Sequence, residues 1–449
     1  DNSNNNMVVG NVMQRVRVWG SAGSGAAGDG NVVGGPDPAD RNFITGYGYV
    51  NSEGLPSGTA VELAGVSNTR IENNWIGLSV DGLSQGNLSG NMGIGFQGTN
   101  NNTVIVNNRI AGILGHGQGP HHAGQLFGWA VMIGGSGAGI TISGNTIGLD
   151  ANDQPLLGSV WGVDVGTWNY ATISDITIED NEIAGHYFNG ITVGRDVAQV
   201  RIARNEFHAN GWGGIDLIPT GYGYGVTLND ALDADTGGNG LQNFPLLADA
   251  TSNGATMTVG GSMHGMPSSD FTLEFFASPA CDTSGHGEGE QFLGTTSVTT
   301  DASGDAVFVT VLPATAPGGW VLTATATLEP LGATSEFSAC VGITEEISTN
   351  VADGAVPARL EFLGGHPNPF NPTTEIRYAL TGPGLVTLDI FNVQGRRVRG
   401  LVKEEQIAGE HRIVWDGRDD AGRNLPSGSY FARLRAGELT RTVKLTLIR

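Results

Sequence analysis

One short pattern recurs through the first half of the chain and leaves few folds open to it. Thr-Arg-Ile-Glu-Asn-Asn-Trp-Ile at 69–76 is echoed at 103–110, 140–147, 176–183 and 200–207. Each copy reads as two or three alternating apolar residues, a turn around Asn, then another apolar residue. The Asn positions are 74, 108, 145, 181 and 205, and weaker copies place Asn11 and Asn42 at the same step. A second alternating run precedes each copy, at 60–63, 93–96, 130–133, 162–165 and 190–193, and recurs at 214–217. Alternation sends Val61/Leu63, Ile94/Phe96, Val131/Ile133, Val163/Val165, Ile191/Val193 and Ile215/Leu217 inward. Helical i, i+3, i+4 spacing is missing. Period-2 strands in coils of this length, turned by Gly and Asn, predict a parallel β-helix over 1–243. The Asn tolerate a left-handed turn, and each amide can bond to the Asn one coil away, forming a buried ladder.

Gly10-Asn11, the run 29–35, the run 41–46 and Gly-Asn-Thr-Ile-Gly-Leu-Asp at 144–150 carry a family resemblance. They are similar to right-handed parallel β-helix proteins, in particular to a subgroup of large exported bacterial proteins. Relatives of that kind include pectin-degrading enzymes, adhesins and structural proteins, so the resemblance implies a fold and no single activity.

The charge is unevenly placed. Residues 1–358 hold 8 Arg, no Lys and 34 acids, whereas 359–449 hold 14 basic and 10 acidic residues. The break marks a domain boundary, and an acidic body of this kind excludes nucleic acid as a partner. No stretch approaches the ~20 apolar residues of a membrane span. Asp1 follows no basic or apolar leader, and the chain is read as the mature form of an exported protein.

Between 244 and 345 the alternation changes, with strands expected at 256–259, 271–276, 292–298, 306–311 and 320–327. A hairpin-type turn is expected at 301–304. Such short strands predict an immunoglobulin-like sandwich. Its Cys281 and Cys340 are either buried thiols or a disulfide; the lack of metal-type spacing favours the disulfide. The phrases ending in these cysteines, 275–281 and 335–340, resemble a module that follows such β-helices, and in that resemblance the two are paired. Residues 346–358 read as a linker.

The last segment, 359–449, carries His-Pro-Asn-Pro-Phe-Asn-Pro at 366–372, the run 386–396, Trp-Asp-Gly-Arg-Asp-Asp-Ala-Gly at 415–422 and the run 425–431. It resembles the C-terminal sorting domain of type IX-like secretion, an immunoglobulin-like fold akin to flagellar hook-capping proteins. The resemblance implies export across a bacterial outer membrane, with the secretion machinery as partner and the cell surface or exterior as destination. The fold expected is therefore all-β: a right-handed parallel β-helix followed by two immunoglobulin-like sandwiches.

Candidate chemistry is sparse. The outward column of the second run is Glu62, Gly95, Met132, Asp164, Thr192 and Asp216. Asp164 and Asp216 lie two coils apart, ~9.6 Å at the usual strand spacing, near the upper limit for an inverting glycosidase pair. His186 and His208 fall in loops nearby. Gly115-His116-Gly117 is similar to an element of polygalacturonases, but that family's companion elements are missing. Arg195 and Arg201 lack the acid cluster of a pectate lyase. His116, His121 and His122 form a possible trio for a transition metal. Asp230, Asp233, Asp235 and Asn239 offer hard oxygen ligands in a Gly-rich loop, as calcium requires. Two roles remain: an exported adhesive or structural protein, and a polysaccharide hydrolase or lyase. The strand-like 7–9, with no polar cap before it, is expected to allow head-to-tail pairing with a second copy.

Overall fold

The computed structural model describes residues 5–20, 28–46, 49–50, 56–86, 91–113, 128–156, 159–167, 172–221, 223–345, 361–437 and 439–449. The expected linker and the histidines at 116, 121 and 122 lie outside them. Among the described residues there is no α-helix, and hence none long and apolar enough to cross a membrane. The chain divides into two compact units, Asp1–Glu346 and Ile347–Arg449.

Three parallel seven-stranded sheets make up the β-helix. One carries the Asn-turn strands, such as Arg70–Glu72 and Val104–Val106, and a second carries the short strands after the turn, such as Trp75–Ile76. The third contains Val16–Trp19, Thr59–Ala64, Met92–Gln97, Trp129–Ile133, Trp161–Val165, Asn189–Val193 and Gly213–Leu217. Met7–Val8 is the outermost strand of the first sheet, paired with Val32–Gly34. The predicted inward residues of the third sheet are all buried in one continuous core with Ile71, Ile105, Ile142, Ile178 and Ile202.

The Asn ladder runs unbroken through seven coils. Asn74 Nδ2 donates to Asn108 Oδ1 at 2.9 Å, Asn108 to Asn145 at 3.0 Å, Asn145 to Asn181 at 2.9 Å and Asn181 to Asn205 at 2.8 Å. Asn11 and Asn42 extend it at the other end. Each Oδ1 also accepts the backbone N–H of the preceding Asn, as in Asn74 N to Asn108 Oδ1 at 2.9 Å. Each Nδ2 reaches back to a carbonyl of the coil below, as Asn108 does to Ile71 at 2.9 Å. The ladder Asn are not the left-handed residues. Positive φ falls one position earlier, on Asn73, Asn107, Gly144, Asp180 and Arg204. That residue turns the chain, which frees the ladder side chain to point along the stack.

The sandwich contains all five expected strands and adds Leu246–Ser252 and Val341–Glu345. Val341–Glu345 pairs both Leu246–Ser252 and Val321–Glu329, so its two faces are one rolled sheet. Residues 301–304 do form a tight turn, with Gly304 N donating to Asp301 O at 3.0 Å. The strands it joins go to opposite ends of the sheet order and are not a hairpin. Cys281 and Cys340 are disulfide-bonded, with Cα atoms 6.0 Å apart.

Side chains of the sandwich cap the last coil. Glu274 accepts Arg204 N at 2.7 Å, Glu288 accepts Asn210 N at 2.9 Å and Glu336 accepts Leu217 N at 3.0 Å. Thr334 Oγ1 accepts Ile202 N at 2.9 Å. Donors that another coil would have satisfied are thus paired, which open strand edges require. Phe276 and Phe337 close the core beneath them, with Phe337 edge-on to Phe207 at 5.6 Å.

In the C-terminal unit a three-stranded and a four-stranded sheet enclose Phe370, Tyr378, Trp415 and Tyr430.

Asn108→Ala leaves the buried N–H of Asn74 without its acceptor and deletes the bonds that Asn108 Nδ2 gives to Ile71 O and Asn145 Oδ1. At 1–3 kcal/mol for each unsatisfied group it should cost about 3 kcal/mol. Asn11→Ala, on an exposed rung, should cost under about 1 kcal/mol. Urea unfolding of the two variants checks this; equal costs would contradict a cooperative buried ladder.

Candidate functional site

The third sheet brings the sequence-predicted acids into one column. Asp164 is level with Thr192 on the next coil, and Thr192 with Asp216 on the one after. All three point away from the β-helix core, yet all three are buried. Alternation labels this column outward, and at these levels other segments of the same chain cover it. Thr167 donates to Asp164 through both its hydroxyl and its N–H. Asp216 accepts Gly225 N at 3.0 Å and Asn189 Nδ2 at 2.7 Å. Glu62, lower in the column, is covered by Arg15 and Arg17.

Burial sets the electrostatics. Desolvation raises Asp164 to about 6 against the hydrogen bonds from Thr167, and raises Asp216 to about 7 against those from Gly225 and Asn189. The Tyr224 phenol is pushed up by its own burial and by both carboxylates. Among the described residues, Oγ1 of Thr192 and Oδ1 of Asn189 are buried without a hydrogen-bond partner. His186 is also buried, held down to about 4 by desolvation, with Nδ1 3.0 Å from Ser159 Oγ. A neutral imidazole there belongs to the packing and does not touch the acid column. His208 lies 3.3 Å from Glu182, which raises it, and is likewise apart.

Beside the acid column runs a row of aromatic rings that sequence reasoning missed. Trp129 stacks on Trp161 at 5.2 Å, Trp161 meets Phe188 at 4.9 Å, and Phe188 meets Trp212 at 4.1 Å. The available signal was an aromatic residue at or just before the start of each of the last four third-sheet strands, at Trp129, Trp161, Phe188 and Trp212.

Asp230, Asp233 and Asp235 come together, with ligand oxygens within 4.8 Å of one another. Asn239 does not join them. Its Oδ1 accepts Val200 N and its Nδ2 donates to the carbonyls of Val200 and Thr334, so its amide is spent on the junction with the sandwich. Part of the acid trio is spent locally as well: Asp233 Oδ1 accepts Asn243 N at 2.7 Å, and Asp230 accepts Ala234 N at 3.0 Å. Burial, then the neighbouring acids, raise Asp233 to about 7. The three carboxylates are the oxygen donors that could hold calcium. Arg195 and Arg201 are not brought to either acid group; Arg201 pairs Glu329 at 2.9 Å and Arg195 pairs Asp196 at 3.3 Å.

The FlgD Ig-like domain family matches residues 372–438, inside the C-terminal unit. No curated protein matches the chain. Among solved structures the chain is similar to dimeric latent PorU from Porphyromonas gingivalis. That match has 13% identity and a TM-score of 0.18, covering 45% of this chain and 20% of that one. It is similar to the BSP domain of a biofilm-associated protein, with 16% identity and a TM-score of 0.16, covering 46% and 30%. It is also similar to PorZ, a surface component of the type-IX secretion system of Porphyromonas gingivalis, with 14% identity and a TM-score of 0.15, covering 46% and 23%. This chain thus spans under a third of each of these proteins. At such scores the likeness carries nothing about activity or partners.

The buried acids fix a pH dependence. Glu336 is raised by burial to about 8, and Glu288 and Asp216 to about 7. A folded-state value above the unfolded one means protons are lost from the unfolded chain first. Stability is therefore full below about pH 4.5 for these groups and declines as pH rises through 7 to 8. The urea midpoint of the β-helix unit should fall between pH 5 and 8, and Glu336→Gln should flatten that fall.

Proposed function

We propose that this is an exported bacterial surface protein in which the capped β-helix is a rigid adhesive or structural stalk. On this reading the C-terminal immunoglobulin-like unit directs passage across the outer membrane through type IX-like machinery. The observation that carries the reading is the separate C-terminal unit with its FlgD Ig-like match and its run of sorting-type motifs. The stalk supports it: a continuous core, a through-running Asn ladder and a carboxylate cap make a stiff rod. Calcium at Asp230, Asp233 and Asp235 would brace the loop that joins stalk and sandwich.

Two forms expressed in an outer-membrane bacterium with type IX secretion test it, the full chain with an export signal and the same chain ending at 345. The full chain should reach the surface or medium, and the shortened one should remain periplasmic. Equal delivery of both would overturn the role of the C-terminal unit.

A second reading, a polysaccharide hydrolase or lyase, is favoured by the raised Asp164 and Asp216 in one column. Their carboxylates are closed over, so substrate entry requires the Thr167 and Gly225 segments to move. Release of reducing ends or unsaturated products from a polysaccharide panel, lost in Asp216→Asn, is the outcome that would establish it.

A further inference from the structure

We propose that Tyr187, Trp212 and Tyr224 form a stacking platform for an uncharged polysaccharide. This rests on the adhesive reading for its biological setting, but the binding itself does not depend on how the chain is exported.

The aromatic row begins buried and ends in solvent. Trp129 and Trp161 are 7% and 5% exposed, packed with Met92, Met132 and Val160. Core packing accounts for them. It does not account for the far end, where Trp212 is 45%, Tyr224 54% and Tyr187 70% exposed. These three are contiguous through shared rings. Tyr187 meets Phe188 at 5.0 Å, Phe188 meets Trp212 at 4.1 Å, and Trp212 meets Tyr224 at 5.7 Å. Large rings left open side by side forfeit burial that a folded chain otherwise takes, and such clusters mark binding surfaces.

The platform is held before any ligand arrives. Trp212 N donates to Phe188 O at 3.2 Å, and Gly225 N, next to Tyr224, donates to Asp216 at 3.0 Å. A backbone fixed in this way loses little conformational freedom on binding. Pyranose rings are its natural complement, since their C–H faces stack on aromatic faces while their hydroxyls stay in water.

Charge selects among polysaccharides. Residues 1–358 carry 34 acids against 8 Arg and no Lys. The arginines nearest in sequence are already engaged: Arg195 by Asp196, Arg201 by Glu329, and Arg204 by Glu179 and Asp180. Asp216 lies under the platform and Asp164 two coils away. A uronate or sulfate chain would meet repulsion and no counter-charge, whereas an uncharged chain pays neither cost.

Affinity electrophoresis of the purified full chain tests this in gels containing mixed-linkage β-glucan, xyloglucan, α-mannan or dextran, with polygalacturonate and alginate as anionic arms. At least one neutral polymer should retard the protein and neither anionic polymer should. Trp212→Ala and Tyr187→Ala should each weaken retardation at least ten-fold with unchanged thermal melting. If Trp212→Ala melts early, Tyr187→Ala, the more exposed ring, carries the test. Retardation by no neutral polymer, equal retardation by an anionic one, or wild-type affinity in Tyr187→Ala would overturn the proposal. A chain that reaches the surface yet binds no neutral polymer overturns this inference alone; one that binds but is not exported overturns only the export reading.

Discussion

The shared amide of the Asn ladder is the contact on which the rest of the β-helix depends. One Oδ1 accepts two donors from the coil before it, and the same side chain's Nδ2 donates to the next rung and to a carbonyl behind. A buried polar group so placed leaves little of its capacity unmet, where an unpaired one would cost on the order of a few kcal/mol. Because each rung is satisfied only in register, the ladder also fixes which strand lies above which. A slip by one residue would send every Ile of the core to the surface.

Repetition solves the interior of such a rod and leaves its ends unsolved. At the C-terminal end of the stack the sandwich supplies what the next coil would have given: acceptors from Glu274, Glu288, Glu336 and Thr334, and apolar surface from Phe276 and Phe337. Carboxylates make strong acceptors, but placing them in a dry junction raises their proton affinity. The β-helix and sandwich therefore form one compact unit, and their junction carries a built-in sensitivity to alkaline pH.

The side wall of the rod shows a comparable division. The inward residues of the third sheet are uniform, whereas its outward column is covered at the levels of Asp164, Thr192 and Asp216 and is edged there by aromatic rings. The acids are closed beneath Thr167 and Gly225, and the open surface at that end belongs to Tyr187, Trp212 and Tyr224.

The repeat of apolar pairs and Asn at 74, 108, 145, 181 and 205 was enough to determine coil, ladder and core, because period-2 alternation and in-register stacking are local rules that act identically on every copy. The sandwich strands were legible from the same alternation, whereas the motifs of 366–431 were read from their resemblance to a known domain. What lay beyond the sequence were contacts between residues far apart in the chain. That Asp164 and Asp216 are buried depends on segments folding back over an outward face that alternation alone labels as solvent. That Asn239 leaves the acid trio depends on Val200 and Thr334, 39 and 95 residues away. The capping role of Glu274, Glu288 and Glu336 likewise appears only once the sandwich meets the last coil. Periodicity decides which way a side chain points; only the tertiary structure decides whether water or protein is waiting there.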